Sequence, residues 1–143
     1  EDSRFTKKEK QELINAFKRS KGGIILGAAT GSFGEGIDLP GEALRCVIIV
    51  GLPLARPDLE TQELIRYYDS KFGKGWDYGY IFPAFNKTLQ NAGRCIRSET
   101  DTGIIAYLDV RYTWRNYARC FPPDLNMVIT TKTQVVDMFF EQN

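Results

Sequence analysis

Histidine is absent from this 143-residue sequence, and only three cysteines occur, Cys46, Cys95 and Cys120. Without histidine there is no imidazole base for a nucleophilic triad. The cysteines are widely spaced and form no Cys-x-x-Cys pair, which leaves neither a zinc-ligand pattern nor a disulfide framework. No apolar run approaches the roughly 18 to 20 residues that a membrane-spanning helix needs, so no membrane partner is expected. The net charge is +1, and bulk electrostatics therefore favour no nucleic acid or lipid surface: any such site has to be a local patch. The first residues, "EDSRFTKKEK", are charged and carry no apolar signal-peptide core, which favours a cytoplasmic or nuclear setting. They do not begin with Met, and a fragment of a longer protein is expected.

What is present is the composition of one soluble domain, with 43% hydrophobic and 26% charged residues. Thr6 and Glu9, three apart, precede Leu13, Ile14 and Phe17 on one side, a capping box opening an amphipathic helix to about Arg19. "IILGAA" (Ile24 to Ala29), "CVIIVG" (Cys46 to Gly51) and "IIAYLD" (Ile104 to Asp109) are short continuous apolar runs, the pattern of parallel strands buried on both faces. Pro57 and Asp58 open a second helix with Leu64, Ile65, Tyr68 and Phe72 as its stripe, and "GKGWDYGY" breaks it. A third helix is predicted from about Pro83 to Arg97, and "TQVVDMFFEQ" forms the last. Strands alternating with helices predict an α/β fold with a parallel sheet.

Two stretches carry chemistry. "TGSFGEGID" follows the first predicted strand, where open parallel sheets bind ligands. Gly31, Gly34 and Gly36 allow close backbone approach, and Thr30 and Ser32 offer hydroxyls to phosphate. Glu35 and Asp38 repel phosphate but accept from ribose hydroxyls or hold a cation. A glycine-rich connection with solvated acids is the equally weighted alternative. The second stretch is "QNAGRCIRSETDTG", residues 90 to 103. On a helix, Gln90, Arg94 and Arg97 fall on one face and Phe85, Leu89, Ala92 and Ile96 on another. Paired guanidiniums suit charge building on a transferring phosphoryl group, while a solvated basic face paired with acids is the simpler reading. Gly93, costing about 1 kcal/mol against Ala within a helix, predicts close approach by another element. Asp101 and Gly103 are turn residues.

"GSFGEGIDLPGEALRCVIIVGLPLARPD" resembles motif V and its following strand, and "QNAGRCIRSETDTG" resembles motif VI, of the superfamily 2 DNA helicases of the XPD and DinG group. "YYDSKFGKGWDYGY" between them is similar to the archaeal XPD-like members. The resemblance runs from the first helix to about Asp124. It implies residues 1–143 as part of a second RecA-like motor domain: a three-layer α/β sandwich with a mostly parallel central sheet, lacking its first strand. It implies an ATP-dependent helicase moving 5′ to 3′ on single-stranded DNA in DNA repair. Carried over, Arg97 is the arginine finger, with Arg94 beside it and Gln90 linking nucleotide state to the domain interface. Glu35, Gly36 and Asp38 belong to the loop coupling nucleotide to DNA, and Thr30, Gly31 and Ser32 lie nearer the DNA backbone. Asp109 and Arg111 match the family's Asp-x-Arg and read best as a structural ion pair.

The departures bound the role. No G-x-x-x-x-G-K-[ST] phosphate loop and no D-E-x-H motif occurs, so ATP and Mg²⁺ are expected to be held largely by the first RecA-like domain of the same polypeptide. The four cysteines of the family's iron-sulfur insertion are also missing, placing any such cluster outside this chain, and no metal site is expected within it. The isolated chain is expected to be inactive. A catalytically silent RecA-like module that binds a protein partner is the competing reading, against which the presence of both Arg94 and Arg97 weighs. Two aromatic clusters, Trp76, Tyr78 and Tyr80 with Lys74, and Tyr112, Trp114 and Tyr117 with Arg111 and Arg115, have the composition of stacking platforms for single-stranded bases. Core packing is the commoner use of such residues.

Overall fold

The computed structural model describes residues 5–31, 33, 39, 44–96, 98 and 100–142. Its first helix, α1 (Lys7–Arg19), starts where the sequence places it: the Thr6 hydroxyl accepts from the Glu9 amide and the Glu9 carboxylate accepts from the Thr6 amide, satisfying two groups a bare helix end leaves unpaired. Lys18 and Arg19 occupy the last turn, where cations complement the helix dipole. Only Ile14 of this helix is fully buried, against Phe33 and Leu39, with Phe17, Ile25 and Leu44 around them.

Strand β1 (Cys46–Val50) pairs in parallel with β2 (Ile104–Leu108), in register from Cys46 opposite Ile104 to Val50 opposite Leu108. The connection between them carries helix α2 (Leu59–Phe72), a π-helical segment (Asp77–Ile81) and helix α3 (Phe82–Ala92). Parallel strands need such a crossover. Helix α2 opens on Asp58, whose carboxylate accepts from the Thr61 amide at 2.9 Å, and closes at Gly73 with φ 63°. The 3₁₀ turn Val110–Thr113, the short α4 (Arg115–Ala118) and α5 (Gln134–Gln142) complete the chain.

The α/β architecture with a parallel sheet is as expected, and the described residues supply the sheet and the helical layer on one face of it. Along β1 the burial alternates: Ile49 is 6% exposed and Val50 is 79% exposed. The continuous apolar run predicted burial on both faces, but only the face toward α3 is covered among the described residues. The segment Ile24 to Ala29 is a second departure. It forms no strand, and Ile24 and Leu26 lie open to solvent. A strand exists only within a ladder, and the ladder among the described residues is that of β1 with β2.

The stretch "GKGWDYGY" breaks α2 at Gly73 as expected, and beyond it the chain re-enters helix, with the π-helical segment Asp77–Ile81 running straight into α3. A side chain at Gly79 would place Cβ 2.8 Å from the Ile65 amide nitrogen, and one at Gly75 would collide with the Ile65 carbonyl oxygen. These glycines act by letting two helical backbones touch. The principal core lies between this layer and the sheet: Leu52, Ile81, Phe85, Tyr112 and Phe121 are buried, with Tyr107 and Tyr117 packed around them. Phe85 meets Phe121 edge-on at 5.2 Å, and the Tyr112 hydroxyl donates to the Gly51 carbonyl at 2.8 Å. No described helix is long and apolar enough to cross a membrane.

Candidate functional site

The glycine-rich stretch begins in a tight turn, with the Gly31 amide donating to the Ala28 carbonyl at 2.8 Å and Thr30 exposed beside it. Ser32, Glu35, Gly36 and Asp38 lie outside the described residues. Phe33 is buried in the α1 cluster and backs Gly27, so the turn is anchored from below by packing. It is anchored from the side by α3: the Asn91 side-chain amide donates to the Ala29 carbonyl at 3.1 Å. That bond joins the end of α3, just before Arg94, to the start of the glycine-rich turn.

Helix α3 stops at Ala92, five residues short of the predicted end at Arg97, and Gly93 caps it. Gly93 is exposed, and what a side chain there would meet is the Leu89 carbonyl of its own helix at 3.3 Å. Among the described residues no other element makes the close approach expected here; the glycine marks a helix end. The chain turns on through Gly93, Arg94 and Cys95, whose amides donate to Leu89, Asn91 and Ala92 carbonyls. Gln90 is exposed on α3 and Arg94 is half-buried on the turn, so they share no continuous helical face. Arg97 lies outside the described residues.

Two contacts explain why the helix ends there. Cys95 is 3% exposed, and its thiol lies 3.4 Å from the Leu44 carbonyl and 3.8 Å from that of Ile104, pulling the turn onto the sheet's starting edge. A side chain at Gly103 would collide with this sulfur and lie 3.0 Å from the Arg45 carbonyl, so Gly103 serves packing more than turning. Burial pushes the Cys95 thiol above its ordinary pKa, with Cys46 and Asp101 adding to the effect, which makes it a packing residue and a poor nucleophile. Downstream, the Asp101 carboxylate accepts from the Ser98 amide at 3.1 Å and its hydroxyl at 2.9 Å, closing the next turn. Asn91 and Cys95 both sit inside the motif, and the sequence alone assigns neither a role; their partners Ala29 and Leu44, distant in sequence, supply it.

Asp109 and Arg111 form the expected ion pair, with Arg111 Nη2 at 2.6 Å and Nε at 3.0 and 3.1 Å from the carboxylate oxygens. The Arg111 hydrogen bonds hold the Asp109 carboxyl below its usual range. The two aromatic clusters diverge. Tyr112 is 5% exposed in the core and Tyr117 stacks on Phe85, leaving Trp114 alone outside. Trp76 and Tyr78 stay open to solvent, and Trp76 packs against Tyr80 with ring centres 4.6 Å apart. A cleft of about 410 Å³ opens between the Ala29–Thr30 turn, Pro53 and Leu54 after β1, and Tyr80, Pro83 and Lys87.

The sequence matches the helicase C-terminal domain family over residues 2–127. It is similar to the ATP-dependent DNA helicase DinG of Photobacterium profundum, with 37% identity over 103 residues, 71% of this chain and 15% of that protein. A probable ATP-dependent helicase of Methanocaldococcus jannaschii is 35% identical over 114 residues, 73% of this chain and 17% of that protein. The XPD helicase subunit of the general transcription and DNA repair factor IIH of Dictyostelium discoideum is 28% identical over 103 residues, 71% of this chain and 13% of that protein. The chain thus spans less than a fifth of the length of these relatives. Because the matched span runs through both the glycine-rich turn and the arginine-bearing one, this chain belongs to the helicase C-terminal domain family, of the DinG and XPD type.

Proposed function

We infer that this chain is part of the second RecA-like motor domain of an ATP-dependent helicase that moves on single-stranded DNA, 5′ to 3′, in DNA repair. The observation that carries the reading is the bond from Asn91 to the Ala29 carbonyl, which ties the motif VI helix to the motif V turn. In a motor the arginines must sense the nucleotide and the glycine-rich loop must shift on DNA. A direct bond between their two segments is a short physical route for that coupling. In this reading Arg97 is the arginine finger, Arg94 holds the adjoining phosphate oxygens, and Gln90 reports nucleotide state across the domain interface. Glu35, Gly36 and Asp38 form the coupling loop, and Thr30, Gly31 and Ser32 meet the DNA backbone.

The described residues contain no group of three or more Cys, Asp and Glu able to hold a metal ion. In this reading Arg94 and Arg97 meet the anionic end of the nucleotide, and Mg²⁺ is held largely by the first RecA-like domain of the same polypeptide. Bound nucleotide supplies the phosphoryl group that drives movement; this chain's part is to neutralise and sense its charge. Any iron-sulfur cluster belongs to the rest of the protein.

The test is single-stranded-DNA-stimulated ATP hydrolysis by the full-length parent, its Arg97→Ala variant and the isolated chain. The parent is expected to hydrolyse ATP, the variant to lose on the order of 10³ in turnover, and the isolated chain to be inert. A parent without activity, or a variant indistinguishable from it, sinks the motor reading.

A further inference from the structure

Beyond Ala92 the chain leaves α3 and turns back toward the sheet, carrying Arg94 with it. Among the described residues from 93 to 103, Cys95 alone is buried, at 3% exposure. Gly93, Ser98, Thr100 and Thr102 are exposed, and Ile96, the large apolar side chain of the turn, is 41% exposed. The burial that attaches this turn to the rest of the molecule is therefore that of one side chain.

The Cys95 sulfur sits at a junction. It lies 3.4 Å from the carbonyl of Leu44, just before β1, and 3.8 Å from that of Ile104, the first residue of β2, so it spans the starting ends of both strands. One weakly donating thiol proton faces two oxygens, which makes the contact a matter of position more than of bond strength. Room for the sulfur comes from Gly103. A Cβ there would collide with Sγ and stand 3.0 Å from the Arg45 carbonyl oxygen, which itself accepts from the Ile104 amide at 3.0 Å. Backbone tied into the ladder at that point cannot retreat, so the missing side chain of Gly103 sets the depth to which Cys95 sinks.

We propose that Cys95 is the positioning residue of the motif VI turn: its sulfur, seated against Gly103, fixes the level of the turn over the sheet and with it the reach of the Arg94 and Arg97 guanidiniums toward nucleotide phosphate. The proposal rests on the motor reading and adds to it two residues that act through the arginines. Arg94 directly precedes the anchor and Arg97 follows closely, so a tilt about Cys95 moves both. Contacts to a transition state are steep in distance, and a displacement on the order of 1 Å can cost about 10²-fold in rate.

Steady-state ATP hydrolysis by the full-length parent on saturating single-stranded DNA tests it, with a thermal melt beside every variant. Gly103→Ala should lower kcat by roughly 10- to 100-fold with the KM for ATP little changed, the pattern of a contact made only in the transition state. Cys95→Ala removes the anchor and leaves the hole, and should lower kcat by roughly tenfold with the same split. The double variant Cys95→Ala/Gly103→Ala frees the space the new methyl group needs. It should turn over faster than Gly103→Ala, a rescue that two independent losses of packing would not produce. In the unmodified parent, alkylation of Cys95 by N-ethylmaleimide, followed peptide by peptide in the mass spectrometer, should slow several-fold when a non-hydrolysable ATP analogue binds. A nucleotide that grips the arginines favours the seated turn, and this readout needs no variant to fold. An active parent whose Cys95→Ala variant keeps its kcat, whose double variant is no faster than Gly103→Ala, or whose Cys95 alkylation ignores nucleotide overturns the positioning role and leaves the motor reading standing. A parent that hydrolyses no ATP overturns both.

Discussion

The two hydrophobic clusters of this chain are built on different principles. The larger one draws Leu52, Ile81, Phe85, Tyr112 and Phe121 from five separate segments and surrounds them with half-buried aromatics. The smaller rests on Ile14, Phe33 and Leu39, beside a segment whose Ile24 is 85% exposed and Leu26 78% exposed. In the first, each ring packs against rings from other elements, so removing one disturbs several. In the second, α1 is held mainly by its own capping box and a narrow apolar contact. The glycine-rich turn sits between them, anchored by Phe33 on one side and Asn91 on the other. On the proposed motor reading, in which this loop shifts on DNA, its place is the boundary between a firm layer and a thin one.

Truncation should expose the contrast most strongly. Phe85, 2% exposed and in edge-on or stacked contact with Tyr112, Tyr117 and Phe121, should cost about 3–5 kcal/mol as Phe85→Ala. That is a large share of the roughly 5–15 kcal/mol a domain has. Phe33→Ala should cost roughly half as much or less, because among the described residues its buried neighbours are Ile14 and Leu39 and not a set of interlocked rings. Urea denaturation followed by tryptophan fluorescence checks both, and equal losses would break the comparison.

A smaller effect tests the helical contact that stiffens the larger cluster. Gly79→Ala puts a methyl group 2.8 Å from the Ile65 amide nitrogen, where backbone has to move. A loss of about 1–3 kcal/mol is expected. A thermal melt unchanged by Gly79→Ala would show that the two helical backbones have room to separate.

The smallest effect is electrostatic and belongs to the same layer. Asp109 caps the 3₁₀ turn that delivers Tyr112 to the core, and its hydrogen bonds with Arg111 depress its pKa below the ordinary aspartate value of about 3.9. A depressed folded-state pKa means the unfolded chain binds the proton more readily, so this stabilisation is complete above about pH 4 and is lost as pH falls through the folded value. Asp109→Asn should lower stability slightly at neutral pH and remove that portion of the acid sensitivity. Melts at pH 7 and pH 3 measure it; a variant as acid-sensitive as the parent would assign the effect to other carboxylates, such as Asp58 at the start of α2, whose pKa the Thr61 bonds lower.

Much of the site and fold was legible because it is local. The Thr6–Glu9 box, the Asp58 cap and the Asp109–Arg111 pair each depend on residues a few positions apart, and the Cys46 and Ile104 strands are marked by short continuous apolar runs. The misread elements are those whose state depends on a distant partner. Ile24 to Ala29 has the composition of a strand, yet a strand exists only against a neighbour. "GKGWDYGY" breaks α2 as its glycines announce, but that it re-enters helix depends on Gly75 and Gly79 fitting against Ile65. The helix through Gln90 ends at Ala92 because Cys95 is drawn to carbonyls of Leu44 and Ile104.

By itself, then, the amino-acid sequence determined the locally capped helices, the two paired apolar strands, the family, and which stretches carry glycines, carboxylates and arginines. Tertiary structure alone decided that Asn91 joins the two motif segments, that Gly75 and Gly79 are contact points, and that Tyr80, Lys87 and Thr30 face one cleft. The physical reason is range. Capping, periodicity and turn chemistry act over one or two helical turns and are written in neighbouring residues. Close backbone approach and the meeting of a cation, a hydroxyl and a ring across fifty residues are written only in the packing.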